Sequence, residues 1–290
     1  MSAGPIPLTA EIDSNRRPLP RPVSMERARG VARVRMRADG ATTRLSENFQ
    51  AGSAKVRFPR TRSGEAMQVV LLNTAGGVTG GDHLSYSVEV EAGASGVVST
   101  VAAERVYRRA AGVARIETAM RVGDGGRLDW LPQETIVFDR SALTRTLIAD
   151  VHPQAELLAI EAVVLGRTAM GETARNVAVS DTWRVRRGGK LIFADGLRLD
   201  GDAVEIMAGA ATGNAAAAVA TLLLVAPDAE ARIDAARAAL SSPAGECGTS
   251  AWNGMLVARL IAPTGQALRA DLMHLVETLR RRPMPRVWHC

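Results

Sequence analysis

Apolar and polar residues change places one by one over stretch after stretch of this chain. A period of two fits half-buried β-strands and little else. Val34, Met36 and Ala38 alternate with Arg33, Arg35 and Arg37, while LSYSVEV puts Leu84, Tyr86, Val88 and Val90 on one face. RIETAMRV does the same with Ile116, Thr118, Met120 and Val122. GVVSTVAAERVY, LDWLPQETIVFD, RTLIADVH, TWRVRRGG and KLIFADGLRL read as further strands. Turns rich in Gly or Asp separate them, such as GDGGR (123–127), RGGK (187–190) and LDGD (199–202). AELLAIEAVVL (155–165) has the length of a short helix, but Val163, Val164 and Leu165 running into Gly166 favour a strand. Strands spaced this regularly, with no long helix between them, predict a large antiparallel β-rich body.

The pattern changes in the last quarter. PDAEARIDAARAALS (227–241) opens on Pro227 and Asp228 and carries Ile233 and Leu240 on one stripe, as an amphipathic helix does. TSAWNGMLVARLIA places Asn253-Gly254 as a tight turn between strands. In residues 265–282 Leu268, Leu272, Leu275 and Leu279 recur at spacings of four, three and four. Arg280, Arg281 and Arg282 suit the negative end of that helix, and Pro283 and Pro285 stop it. The expected class is therefore mainly β with α (α+β), the β-rich body carrying a C-terminal strand–helix–strand–helix portion. Residues 1–24 hold five prolines and little periodicity and read as a flexible tail; residues 25–290 read as one β-rich domain with C-terminal helices.

At 47% hydrophobic residues the chain can build a core, and at 3% aromatic that core must be aliphatic. Two cysteines, Cys247 and Cys290, make no disulfide framework. MSAGPIPLTAEID has no secretory apolar segment, and the apolar run Ala215–Ala226 is too short for a membrane span. A protein of the reducing cytoplasm is expected. The formal charge of +6 comes almost wholly from arginine, since Lys55 and Lys190 are the only lysines. With no nucleic-acid motif and few aromatics to stack on bases, this charge does not point to nucleic acid.

Motifs of chemistry are sparse. GGVTGGD (76–82) packs Gly76, Gly77, Gly80 and Gly81 around Val78 and Thr79 and closes on Asp82. It lacks the lysine of a phosphate loop and the spacing of a dinucleotide loop, and a strand follows it. What remains is a turn with positive φ angles, or a place where another backbone comes close. His83, His152, His274 and His289 are scattered, and His274, between core leucines, reads as an interior histidine. His289-Cys290 offers two donors for a soft or borderline metal but is a poor site alone. Asp129, Glu134 and Asp139 flank or interrupt the apolar WLPQETIVF with no nucleophile near them in sequence. Asp139, before Arg140-Ser141, is most simply a turn; Glu134 needs a partner if it is buried. On these residues alone a binding protein and a β-rich hydrolase using Asp82 or Glu134 both stay open.

Six ordered segments break that balance. LLNTAGGVTGGD (71–82), LDWLPQETIVFD (128–139) and PRVW (285–288) resemble the signature stretches of the urease accessory protein family UreD, also called UreH. NFQAGSAKVRFPR (48–60), AERVYRR (103–109) and LGRTAMGE (165–172) fit the same family in the same order. The resemblance spans about residues 25–290; the N-terminal tail and the His289-Cys290 ending lie outside the motifs. It implies a non-enzymatic maturation factor with a β-rich fold. Such a factor binds the urease apoprotein and the accessory protein UreF, and through UreF recruits the GTPase UreG, which delivers nickel. No tightly bound cofactor is implied, only nickel in transit. Asp82, Glu134 and Asp139 fall inside the motifs as candidate oxygen contacts along a nickel path. Gly76, Gly77, Gly80 and Gly81, with Arg105, Tyr107, Arg108 and Arg109, fall there as candidate partner-binding residues. Weak oxygen ligands suit a passing ion better than a thiolate or imidazole cage.

Overall fold

Alternating strands have to send their apolar sides inward, and two sheets laid face to face give all of them one interior. The computed structural model of the chain describes residues 26–61, 66–167 and 170–289. The expected tail at 1–24 lies outside the described residues, as does Cys290.

The chain opens with β1 (Arg29–Asp39) and β2 (Thr42–Gly52), followed by β3 (Ala54–Arg57) and β4 (Met67–Asn73). Next come β5 (His83–Val90), β6 (Ser95–Thr100), β7 (Glu104–Val106) and β8 (Ala114–Val122). They lead into β9 (Arg127–Leu131), β10 (Thr135–Val137), β11 (Ala142–Val151) and β12 (Glu156–Leu165). After β13 (Val177–Arg187) and β14 (Lys190–Gly201) comes a short helix, α1 (Ala203–Ala208). The last part runs β15 (Ala218–Val225), α2 (Ile233–Ala239), β16 (Glu246–Trp252), β17 (Met255–Ala262) and α3 (Gly265–Arg280).

One sheet has seven strands in the order β14-β13-β11-β8-β5-β1-β2. The other runs β16-β17-β15-β12-β9-β6-β4-β3, with β10 beside β12 and β7 beside β10. This corrects the expected antiparallel body. Nine of the fifteen strand pairings among the described residues are parallel, including β5 with β8, β8 with β11, β4 with β6 and β6 with β9. The reason lies in the connections. From β4 to β13 the chain crosses between the sheets at almost every step, so it returns to each sheet running in the same direction. A parallel pair needs a crossover, and here a strand of the facing sheet serves where a helix would in an α/β fold. Sequence spacing finds the strands but does not say which sheet the next one joins.

The inner strands of the seven-stranded sheet keep their alternation. β8 is buried and exposed at every other residue, and β5 buries Leu84, Tyr86, Val88 and Val90. These side chains meet Val69, Val98, Leu128, Leu157 and Leu223 of the ten-stranded sheet in one core. The second face of the larger sheet is covered as well. Leu158, Ile160, Leu222, Leu224 and Leu256 meet Leu268, Leu272, Leu275 and Leu279 of α3 and Ala236 of α2 in a separate core. A strand buried on both faces has no polar side to show, which is why 155–165 looked continuous rather than alternating.

The expected strand–helix–strand–helix ending is present in outline. Its strands are not an appendage, though: β15, β16 and β17 complete the ten-stranded sheet. The middle strand is a hairpin whose turn residues Asn253 and Gly254 sit at φ 52° and 74°, the left-handed pair a two-residue turn requires. Helix α1, capped by Asp202, was not expected. Thr264 caps α3 by accepting from the Ala267 amide. No helix among the described residues is long and apolar enough to cross a membrane.

Candidate functional site

The glycine loop is where the motifs begin to meet. Residues 76–82 lie across the segment 104–113 with main chain against main chain. The Val78 amide donates to Arg105 O at 2.8 Å and the Tyr107 amide to Val78 O at 2.8 Å, so Val78 forms a one-residue parallel bridge with Val106. The Tyr107 hydroxyl donates to Gly76 O at 2.9 Å, and Thr79 Oγ1 to Arg108 O at 3.0 Å. A Cβ on Gly77 would lie 2.2 Å from Tyr107 Cε2, and one on Gly80 would lie 2.2 Å from Ala111 O. Close approach therefore explains Gly77 and Gly80, both buried, while Gly76 and Gly81 are exposed at φ 76° and 95°.

Below the loop Asn73 Nδ2 donates to Gly77 O at 2.9 Å and to Glu104 Oε1 at 3.1 Å. Burial pushes the Glu104 carboxyl up to about 7, against the pull of Asn73 and Arg105. Burial, and then the Glu104 charge, push the Tyr86 hydroxyl above its usual range.

A groove of about 790 Å³ opens beside this segment, lined by Arg105, Glu134, Phe138, Arg167, Gln266 and Arg269 among others. Four of the motif stretches reach it or support its walls. Phe138 stacks edge-on against Tyr107 at 5.1 Å, and the Arg167 guanidinium lies 4.4 Å over the Phe138 ring. Arg269 of α3 gathers the rest. It donates to Glu134 Oε2 at 2.9 Å and to Trp288 O at 2.7 Å, and lies 4.5 Å over the Trp288 ring. Trp288 Nε1 in turn donates to Leu131 O at 3.1 Å. The terminal PRVW thus packs on LDWLPQETIVFD, more than 150 residues away in sequence.

The three acids expected on a nickel path occupy different surroundings. Asp82 is buried and accepts the Ala28 and Thr79 amides, each at 2.8 Å. Asp139 accepts the Arg175 and Asn176 amides at 3.0 and 2.8 Å and faces Arg140. Glu134 alone of the three lies on the groove wall, paired with Arg269. No hydroxyl or imidazole is bonded to Asp82 or Glu134 among the described residues. No three His, Cys, Asp or Glu side chains there are grouped to hold a metal ion. Asp129, read as one of a possible acid–base set, makes a buried ion pair with Arg280 at 2.8 Å and ties the end of α3 to β9. His274 is exposed on α3, contrary to expectation: a helix buries a stripe, and position 274 falls outside it.

A second polar cluster, with no motif in the sequence to mark it, lies between the sheets. Arg145 of β11 lies between the sheets and bonds Glu161 of β12 and Asp181 of β13, both at 2.5 Å, and Thr135 Oγ1 at 2.8 Å. Trp130 Nε1 donates to Glu161 Oε1 at 3.1 Å. All three charged residues are buried, beside a cavity of about 20 Å³. Burial pushes the Glu161 carboxyl up to about 6 against the opposing pull of Arg145. The available signal was Glu161, an acid with apolar residues on both sides in AELLAIEAVVL, and an arginine on the inward parity of RTLIADVH.

Comparison with known proteins covers nearly the whole chain. A family model described as UreD urease accessory protein matches residues 28–289. "Urease accessory protein UreD 2" of Methylorubrum populi is 50% identical over 277 residues, which is 93% of this chain and 93% of that protein. "Urease accessory protein UreD" of Azorhizobium caulinodans is 47% identical over 90% of this chain and 97% of its own length. "Urease accessory protein UreD 3" of Methylorubrum extorquens is 43% identical over 99% of this chain and 97% of its own length.

Proposed function

The chain belongs to the UreD family of urease accessory proteins, and from that premise we propose that it is a maturation scaffold. In this role it holds apo-urease together with UreF and, through UreF, the GTPase UreG, so that nickel reaches the urease active site. It makes and breaks no bond of its own. The observation that carries the reading is the family match over residues 28–289. The geometry supports it in one respect. Five of the six motif segments, distant in sequence, meet around the glycine loop, Arg105, Tyr107 and the groove.

On this reading Arg105 and Tyr107 contact a partner beside the exposed Gly76 and Gly81, while Gly77 and Gly80 shape the loop from inside. Nickel is cargo here, and its contacts are weak carboxylates and water. Of Asp82, Glu134 and Asp139, Glu134 is the best placed, because its ion pair on an open wall exchanges more readily than an acid locked by two backbone amides. The test is co-expression with apo-urease, UreF and UreG, followed by pull-down and urease assay. Deleting the chain should abolish activation. Glu134→Gln should lower urease nickel content and activity while the complex still forms. Normal activation without the chain would refute the role, and loss of assembly in Glu134→Gln would make Glu134 structural.

A further inference from the structure

Four strands end the main runs of the two sheets, and three of them are blunted; the short branch ends at β7, three residues long and bridged on its outer side by Val78. β2 carries Arg44 and Glu47 and pairs through a register shift at Arg35/Met36. β14 carries Lys190, Arg198 and Asp200 and pairs through a shift at Val185/Arg186. β3 is four residues long, with Lys55 and Arg57. Charges, bulges and shortness are the usual guards against strand addition at an open edge. β16 has no bulge and no charge beyond its first position. It is seven residues, ECGTSAW, in unbroken register with β17. Its single charge, Glu246 at the first position, is taken by Asn214 Nδ2.

The hairpin turn fixes which backbone groups of β16 are open. A two-residue turn makes Trp252 and Met255 a hydrogen-bonded pair, and alternation then bonds Ser250 with Val257 and Gly248 with Arg259. The amides and carbonyls of Cys247, Thr249 and Ala251 point away from the sheet. Among the described residues no backbone bond from outside the ladder reaches them.

Beside this edge, between β16 and β14, lies a groove of about 510 Å³ lined by Phe193, Val257, Trp252, Gly248 and Ser250 and closed by the Arg259–Asp195 ion pair. Trp252 is 43% exposed, a large aromatic left at the mouth of an apolar groove. We propose that β16 receives an extended, uncharged segment of a partner protein as an added strand, with alternate apolar side chains entering the groove against Trp252. Backbone selects an extended occupant, because only a strand satisfies outward amides two residues apart. The uncharged edge and apolar groove select its side chains. The edge lies away from the motif groove, and the partner class rests on the maturation role proposed above.

Hydrogen exchange in the complex co-expressed with apo-urease, UreF and UreG tests this, with the inward amides of Gly248, Ser250 and Trp252 as an internal reference. An occupied edge gives the Cys247, Thr249 and Ala251 amides protection equal to theirs. An open one leaves them faster by about 100-fold or more. Thr249→Pro removes an outward amide, and Ser250→Lys puts a charge in the groove without touching the ladder. Each should cut recovery of one partner by about tenfold. Fast outward amides in an assembled complex, or full recovery with Ser250→Lys, would overturn the proposal. So would protection that appears in the chain alone and grows with its concentration, since that would mean self-pairing. A wild-type chain that captures none of the three partners would overturn the maturation role along with it.

Discussion

The two sheets share a core but differ in what lies behind them. The seven-stranded sheet has one face in the interior and one in solvent, where Arg33, Arg115, Arg121 and Arg184 alternate with its buried residues. The ten-stranded sheet has a core on each side and hardly any bare face at its centre. Nearly every motif segment belongs to the larger sheet or to its loops. Burying both faces of a sheet holds it between two cores, and loops carried on such a platform are where partner contacts are best placed. The smaller sheet closes the core and carries solvated charge. One contact between them is costly: Arg145 and Asp181 from one sheet and Glu161 from the other place three charges in the shared interior.

That contact offers the strongest way to break the comparison. Arg145→Met leaves Glu161 and Asp181 buried without their cation and should cost about 3–5 kcal/mol in denaturant unfolding. Replacing all three by apolar residues should recover most of that loss. On the doubly covered sheet, Leu272→Ala opens a cavity between α3 and the strands beneath, at a cost of about 2–4 kcal/mol.

The Glu104 carboxyl sharpens the comparison through pH. Its folded value of about 7 lies above its ordinary range, so the folded chain binds the extra proton and stability falls as pH rises from about 5 to about 7. Glu104 is half-buried, so solvent screens part of the effect. Glu104→Gln should raise Tm by about 2–4 °C at pH 8, roughly 1 kcal/mol, and change little at pH 5. The smallest effect belongs to the open face. Ile148, 46% exposed on β11, should tolerate Ile148→Thr within about 0.5 kcal/mol. A large loss there would mean that the face is covered in solution.

Much of the smaller sheet is legible in the sequence because alternation reports a strand with one wet side. β5 and β8 follow it residue by residue. The doubly buried strands are harder. In 155–165 nothing alternates, and only the run into Gly166 argues for a strand. Of the site, the glycine loop was legible as a close approach of backbones, since no side chain can stand where Gly77 meets Tyr107. What the loop approaches was not. Nor did anything local tie PRVW to Leu131, or Arg269 to Glu134, because those contacts join segments more than 100 residues apart. His274 misled for a related reason: a leucine stripe gives a helix its buried side, and one position's place on the far side depends on how the helix is rolled against the sheet.

The sequence by itself determined that this chain forms strands, where most of them lie, which side of each is apolar, and, through six ordered segments, to which family it belongs. All of these depend on neighbours a few residues apart or on the order of motifs. The tertiary structure alone decided that most strand pairs run parallel, that the last strands finish the larger sheet, and that Arg145, Glu161 and Asp181 meet inside. Each of those outcomes depends on which sheet the chain enters after a turn. The free energy deciding that comes from burying apolar faces contributed by distant strands, so no short stretch of residues contains it.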